Sequence, residues 1–284
     1  MSSPIDEAET DAALIALALE GDRNALRSLV ARHQPFVFNV AMKMFGNRAD
    51  AEDLTQEVFT RAITSLRTFR GESAFSTWLY RITANHFLKT RRRGLEVEVD
   101  DFEVYFDAVA AVPDEPIEES RIADSTVDEL RIRCTTGMLM CLDREQRITF
   151  ILGAMFNVSH TLGGEIVGIS PGNFRVRLHR ARADLYEWMN RRCGLVNTAN
   201  PCRCHKKARS FVRQGLVDPK RLIFTADYKE SIEALSHSGA REVMATVDDL
   251  HERVFLEHPA QPSRSRIVDE ILGNQVVSSF FGLS

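Results

Sequence analysis

Residues 50–93, DAEDLTQEVFTRAITSLRTFRGESAFSTWLYRITANHFLKTRRR, decide the fold of the first part of the chain. Acidic residues open this stretch at Asp50, Glu52 and Asp53, where the dipole of a helix favours them. Apolar residues then follow every four positions: Leu54, Val58, Ala62 and Leu66. This spacing predicts an amphipathic helix with one buried side.

A second helix is predicted after FRGES. Phe75, Leu79 and Ile82 form its inner side, and the residues that project outward are Arg81, Asn85, Lys89, Arg92 and Arg93. No strand pattern occurs in the first ninety residues, so an all-helical domain is expected. A basic helix end by itself is typical of solvated surface. Beside exposed aromatic residues it is also typical of a nucleic-acid surface, because cations hold phosphates and rings stack on bases.

Taken together, Asp50 to Arg93 closely resemble region two of bacterial RNA polymerase sigma factors of the extracytoplasmic-function class. The resemblance implies that the first helix binds the coiled-coil clamp of the largest polymerase subunit, through Asp53, Gln56, Glu57, Phe59 and Arg61. It also implies that the following segment opens the minus-ten promoter element and holds a flipped base near residues 70–75. The implied DNA contacts are Arg70, Phe75, Trp78, Arg81, Asn85, Lys89, Arg92 and Arg93.

A second helical domain is predicted before residue 192. Ser170 and Pro171 suit the N-cap and first turn of a helix, and its apolar side is Phe174, Leu178, Ala181 and Leu185. With the preceding GEIVGIS turn this resembles region four of the same class, a helix-turn-helix that binds the minus-thirty-five element. The implied contacts are Ser170, Gly172, Asn173, Arg175, Val176, Arg177, His179, Arg180 and Arg182. Gly163-Gly164 departs from the class, so we expect a short or mobile first helix and weaker promoter affinity.

An acidic segment separates the two domains. Residues 95–128 hold twelve Asp or Glu and one Arg, a charge of about −11, whereas the whole chain carries −4 and the rest therefore about +7. With Pro113 and Pro116 this composition suits a solvated linker. Two alternatives stay open: an amphipathic helix with Phe102, Tyr105 and Phe106 packed on a neighbour, or an acidic cover over a basic nucleic-acid surface.

About 95 residues follow Met189, beyond the end of a minimal sigma factor of this class. They bring Cys193, Cys202, Cys204 and His205 together in sequence, which are ligand types for Zn²⁺ or a softer metal. Neighbouring basic residues, Arg203, Lys206 and Lys207, are expected to lower the thiol pKa values. A metal site, a redox thiol pair and unliganded cysteines all remain open, with His237, His251 or His258 as further candidate ligands. Some sigma factors of this class carry cysteine-rich extensions that sense metals, and this tail is similar in kind.

Several protein classes are disfavoured. No apolar run reaches the roughly 18 residues of a membrane span, the first residues are acidic where a signal peptide is basic, and five cysteines do not suggest a disulfide framework. A cytoplasmic protein without a membrane span is therefore expected. Common phosphate-loop, dinucleotide and zinc-protease motifs do not occur, so the chain is not expected to be an enzyme. An enzymatic module in the tail is disfavoured, because the tail lacks the polar cluster and the size that an active site generally has.

The sequence thus predicts an all-α protein. Its expected parts are sigma region two at 1–94, the acidic linker at 95–128, the helix-turn-helix region four at 129–192 and a small, mostly helical extension at 193–284. Its predicted function is to direct core RNA polymerase to promoter DNA, with no cofactor required. Regulation is expected from the extension by intramolecular inhibition, or from a separate anti-sigma factor. The alternative is a metal- or redox-responsive helix-turn-helix regulator that acts without core polymerase.

Overall fold

The computed structural model of the chain describes residues 10–92, 95–115, 122–220 and 264–277, and clustering of contacts divides the chain into two compact units. The described residues form helices, turns and loops, with no strand among them, so the predicted all-helical fold is confirmed. In chain order the helices are α1 (Asp11–Leu19), α2 (Arg23–Phe45), α3 (Arg48–Thr64), α4 (Phe75–Lys89), α5 (Leu95–Glu98), α6 (Phe102–Ala111), α7 (Asp124–Met140), α8 (Arg144–Phe150), α9 (His160–Val167), α10 (Pro171–Arg192), α11 (Cys204–Arg213) and α12 (Arg264–Gly273). A 3₁₀ turn covers Leu66–Thr68 and a π-helical stretch covers Ile151–Met155.

The first unit comprises residues 1–41, 49–90 and 261–284. Its core holds Phe38, Leu54, Val58, Leu79 and Phe87, all with 0% exposure. The predicted inner side of α3 is therefore confirmed. In α4, Phe75 and Leu79 are buried as predicted, whereas Ile82 is half-buried. Arg27 of α2 pairs with Asp269 of α12 at 2.7 Å, so a helix of the C-terminal extension belongs to this unit.

The second unit comprises residues 42–48 and 91–260, and its described core lies where α8, α9 and α10 meet. The apolar side of α10, formed by Phe174, Leu178, Ala181 and Leu185, is buried as predicted. The helix begins at Pro171 because Ser170 caps it, with its hydroxyl accepting a hydrogen bond from the Asn173 N–H at 3.2 Å.

Residues 95–111 are not a solvated linker. Asp101 caps α6 by accepting hydrogen bonds from the N–H groups of Glu103 and Val104. Phe102 and Phe106 are buried, and their rings stack on Trp188 of α10 at centroid distances of 5.7 and 6.1 Å. The amphipathic alternative holds here, because the apolar side of α6 outweighs the local density of acidic residues.

The described part of the extension does not form a unit of its own. Residues 193–220 group with the second unit, and α12 groups with the first. The boundaries 1–94, 95–128, 129–192 and 193–284 stay predictions based on sequence. Arg93, the three distal histidines and most of the tail beyond residue 220 lie outside the described residues.

Candidate nucleic-acid and polymerase interfaces

Three polar residues of α4 share one exposed side. Arg81, Asn85 and Lys89 follow at intervals of four, which brings them into line on a helix, and all three are exposed. Arg92 is also exposed, but its guanidinium lies 3.7 Å from a carboxylate oxygen of Asp100. An acid from the segment that follows α4 thus partly offsets the charge of one predicted DNA contact.

The loop before α4 exposes one cation and buries one ring. Arg70 has a side chain that is 81% exposed, and Gly71 adopts φ +72°, which turns the loop toward α4. Phe75 is only 5% exposed and contacts Phe69 and Trp78 at ring distances of 5.6 Å. In this structure Phe75 therefore supports the loop from the core, while the half-buried Trp78 remains partly accessible.

The predicted polymerase face lies along α3. Asp53, Glu57 and Arg61 are exposed at intervals of four, and Gln56 is half-buried beside them. Phe59 differs from the prediction, because it is 2% exposed and belongs to the core of the first unit. The Glu57 carboxylate lies 2.6 Å from Nε2 of His86, so α4 orients one acid of this face.

The N-terminal half of α10 presents the residues that a recognition helix needs. Exposed positions are Ser170, Gly172, Asn173, Arg175, Val176, His179 and Arg180. Arg177 pairs with Glu145 at 2.8 Å and Arg182 is half-buried, so these two predicted contacts lie at the flanks. Within the described residues, Arg175 and Arg180 form no ion pair, which leaves their charges toward solvent.

The turn before α10 depends on three glycines. Gly168 adopts φ +75° at the end of α9. A Cβ atom on Gly163 would overlap the Phe174 ring, and one on Gly164 would lie 2.7 Å from the Ile169 carbonyl oxygen. α9 is short, as expected, but Gly163 and Gly164 permit close packing of the motif rather than only weakening a helix.

Part of the chain is similar to known proteins. Residues 29–95 match the family model of sigma-70 region 2. The ECF RNA polymerase sigma factor SigE of Mycolicibacterium smegmatis is 32% identical over 173 residues, which cover 60% of this chain and 64% of that protein. The ECF RNA polymerase sigma-E factor of Haemophilus influenzae is 31% identical over 61% of this chain and 92% of its own length. The corresponding Escherichia coli protein is 30% identical, with coverages of 63% and 93%.

The chain belongs to the ECF family of RNA polymerase sigma factors. Members of this family direct core RNA polymerase to promoter DNA, and they are not enzymes. The alignments leave about two fifths of this sigma factor unmatched, so the comparisons do not account for its extension. Within the described residues, no helix has the length and apolar character needed to cross a membrane.

The sigma factor contains a buried ionic cluster that its sequence pattern does not predict. Arg147 is 3% exposed and donates hydrogen bonds to the carbonyl oxygens of Leu139, Met140, Leu142 and Met44. It also contacts Glu96 at 2.6 Å, and Arg144 contacts the other Glu96 oxygen at 2.6 Å. Burial lowers the pKa of Arg147, whereas Glu96 raises it. Nothing in the local pattern of either residue indicates this pairing across 51 positions.

The cysteines of the extension differ from the prediction in their ionisation. Burial raises the pKa of Cys202 and of Cys204, and it raises the pKa of Cys193 to about 12. Lys207 and Arg203 lower the thiol pKa values as expected, but desolvation outweighs them. Among the described residues, no group of three or more His, Cys, Asp or Glu side chains is arranged to hold a metal ion.

Proposed function

We propose that this sigma factor contacts core polymerase through α3, opens minus-ten DNA with α4 and its preceding loop, and reads minus-thirty-five DNA with α10. The observation that carries the proposal is the exposed N-terminal half of α10, where Arg175 and Arg180 face solvent above a fully buried apolar side. A helix in the major groove needs this division between base-contacting and docking sides. The same proposal places the protein in the cytoplasm, with core polymerase and promoter DNA as partners.

The α4 surface supports the minus-ten role. Arg81, Asn85 and Lys89 lie in line and exposed, a pattern that can follow a phosphate backbone. Arg70 stands at the loop where a flipped base would be read, and Trp78 offers a partly exposed ring for stacking. On α3, Asp53, Gln56, Glu57 and Arg61 are the residues proposed to contact polymerase, without Phe59.

Promoter binding with and without core polymerase distinguishes a sigma factor from a repressor that binds DNA alone. Promoter binding is measured by fluorescence anisotropy with and without core polymerase, across a range of salt concentrations. The sigma factor should bind specifically only with core polymerase. Tight specific binding of duplex DNA by the chain alone, with a steep salt slope, would favour the regulator that acts without polymerase.

We also infer that the extension regulates the sigma factor by holding its linker. Lys207 of α11 is 5% exposed, and its ammonium donates hydrogen bonds to the carbonyl oxygens of Ala110 and Val112 at 3.2 and 2.6 Å. It also pairs with Asp114 at 3.2 Å. These three contacts of the buried ammonium hold α11 and the end of α6 together.

Further polar contacts reinforce this junction. Glu115 accepts a hydrogen bond from the Ser210 hydroxyl at 3.0 Å and pairs with Arg209 and Arg213 at 3.6 and 3.1 Å. Its backbone N–H donates to the Lys206 carbonyl oxygen at 2.8 Å. The acidic linker is therefore neutralised in part by the basic helix of the extension.

An apolar cluster joins the extension to α7. Val127 and Leu130 of α7 pack with Ala208 and Val217, and each of the four is at most 3% exposed. Phe211 packs against the same cluster. Most of α7 lies within predicted region four. Release of the linker and region four therefore requires separation of this apolar contact, and we propose that its formation inhibits the sigma factor.

Point variants test this regulation more cleanly than deletion of residues 193–284, because deletion also removes α12 from the first unit. Lys207→Ala should weaken the junction and raise promoter binding with core polymerase severalfold. Lys206→Ala, which changes the exposed neighbour, serves as the matched control and should leave binding unchanged. Equal binding by both variants would contradict intramolecular inhibition and favour a separate anti-sigma factor.

A metal site in the extension is a separate proposal, and it rests on the sequence. Cys193, Cys202, Cys204 and His205 are proposed to bind Zn²⁺ or a softer metal, which the promoter function does not require. Metal content is measured in reduced, purified protein and in Cys202→Ser and Cys204→Ser. About one metal per chain, lost in both variants, would support the site. Absence of bound metal after incubation with zinc, copper or cadmium would refute the proposed site.

A further inference from the structure

A cavity of about 630 Å³ lies within the second unit, between α6, α7 and the turn that follows α11. Its walls are mainly apolar and include Leu95, Val99, Val109, Leu130, Phe211 and Val217. Protein sites for small molecules have volumes of roughly 300–1,000 Å³ and similar apolar walls. The cavity is therefore large enough for an organic ligand.

Specific contacts fix the walls. The Tyr105 hydroxyl donates to the Cys134 carbonyl oxygen at 2.8 Å, and its ring lies so close to α7 that a Cβ atom on Gly137 would be 2.7 Å from it. Arg133 donates through Nη1 to the Leu216 carbonyl oxygen at 3.1 Å, which ties the turn after α11 to α7. Hydrogen bonds thus join α6 to α7 and the turn after α11 to α7. The cavity between them is already formed in the chain without a ligand.

We propose that this cavity binds a small, uncharged, mainly apolar molecule that carries a hydrogen-bond acceptor. Arg133 lines the cavity and supplies the donor. Its Nε and Nη1 contact Glu129 and Leu216, and its other N–H groups have no partner among the described residues. A guanidinium has five N–H donors, so donors remain for a ligand.

The charges around the cavity favour a neutral ligand over an anion. The Arg133 charge is already paired with the buried carboxylate of Glu129 at 2.6 Å. Glu98 also lines the cavity and would repel an anionic headgroup. A ketone, ester or alcohol oxygen can accept from Arg133 without an unpaired charge being buried.

Ligand binding would act on the linker, region four and the extension at once, because each supplies one wall. A ligand that binds this arrangement stabilises it by mass action. The binding site does not depend on the inhibition proposed above, since its walls are described in the free chain and its binding can be measured without polymerase.

Two naphthalene probes test the site in the full-length protein. Prodan is a neutral ketone, and 1-anilinonaphthalene-8-sulfonate is an anion of similar size. Prodan should bind saturably at one molecule per chain with a blue-shifted emission, and the anion should bind at least tenfold more weakly. Absence of saturable prodan binding, or tighter binding of the anion, would overturn the proposal.

Variants assign the binding to this cavity. Ala108→Phe places a ring in the cavity from α6, and Gln214→Phe does so from the turn after α11. Each should weaken prodan binding at least tenfold. Val104→Phe, at a position of α6 that is 62% exposed and outside the cavity lining, is the matched control and should bind like the wild type. Wild-type affinity in both cavity variants would refute the assignment, and circular dichroism verifies that all three remain folded.

Discussion

Nη1 of Arg147 lies 2.6 Å from Oε1 of Glu96, and both side chains are buried. Glu96 belongs to α5, directly after predicted region two, and Arg147 belongs to α8 within predicted region four. Because Glu96 also contacts Arg144, one buried carboxylate balances two guanidinium groups. Arg147 in turn donates hydrogen bonds to the carbonyl oxygens of Leu139 and Met140 in the last turn of α7, and of Leu142 just beyond it.

Glu96→Gln should lower the free energy of unfolding of the second unit by about 3 kcal/mol, because it removes the carboxylate that pairs with the buried guanidinium of Arg147. Glu98→Gln removes an exposed carboxylate from the same helix and should change it by less than about 0.5 kcal/mol. Urea unfolding followed by Trp188 fluorescence in a Trp78→Phe background measures both values. Equal effects of the two substitutions would show that Glu96 does not stabilise the cluster.

The stability of the second unit should rise with pH above 7 because of Lys43. Burial lowers the pKa of Lys43 to about 7, although Glu129 raises it, and its ammonium donates to the Thr136 hydroxyl at 3.2 Å. An unfolded lysine has a pKa near 10.4, so above pH 7 the unfolded chain binds more protons than the folded chain. Stability therefore increases with pH, by up to about 1.4 kcal/mol per unit.

Lys43→Met removes this pH dependence. The variant should therefore exceed the wild type in free energy of unfolding by the smallest amount at the highest pH. The difference in free energy of unfolding between the two proteins is measured from pH 7 to 8.5. The range ends at the usual thiol pKa of about 8.5. Above that pH the cysteines with raised pKa values make the free energy of unfolding fall as pH rises, which would mask the effect of Lys43. A difference that does not change with pH would mean that Lys43 keeps its charge in the folded protein.

Gly164→Ala should destabilise the helix-turn-helix, although alanine has the higher helix propensity. Propensity favours alanine by about 1 kcal/mol, but the new Cβ would lie 2.7 Å from the backbone oxygen of Ile169. We expect a net loss of about 1–3 kcal/mol, as for overpacked cores. Gly172→Ala is the control, because its Cβ would meet nothing closer than 4.0 Å, and thermal unfolding compares the two. Stabilisation by Gly164→Ala would refute the packing role.

The periodicity of apolar residues predicted the buried side of a helix, because that side repeats along a single element. The stripes through Leu54 and Phe174 repeat every three or four residues, so they identified the buried sides of α3 and α10. Glu96 could not be found in this way, because its burial depends on Arg147, which is 51 residues away. The local sequence marks Gly164 only as a weak helix former for the same reason, since the carbonyl group that requires glycine belongs to the following turn.

Arg175→Ala should weaken binding of the sigma factor with core polymerase to promoter DNA. The Arg175 side chain is exposed near the start of α10 and forms no ion pair within the described ranges, so its charge is available to a phosphate or a base edge. A base contact of this kind contributes about 1–3 kcal/mol to discrimination. A phosphate contact would reduce the salt slope by about one unit instead.

Arg191→Ala provides the matched control at the other end of the same helix. Arg191 is exposed, pairs with Glu187 at 3.4 Å and lies over the Trp188 ring, so it is already engaged. Fluorescence anisotropy with a promoter and with a minus-thirty-five mutant, each at several salt concentrations, separates the two kinds of contact. Loss of affinity for the intact promoter alone assigns Arg175 to base recognition, and a uniform loss with a smaller salt slope assigns it to phosphate. Unchanged binding in Arg175→Ala would mean that α10 does not use its exposed N-terminal half for DNA.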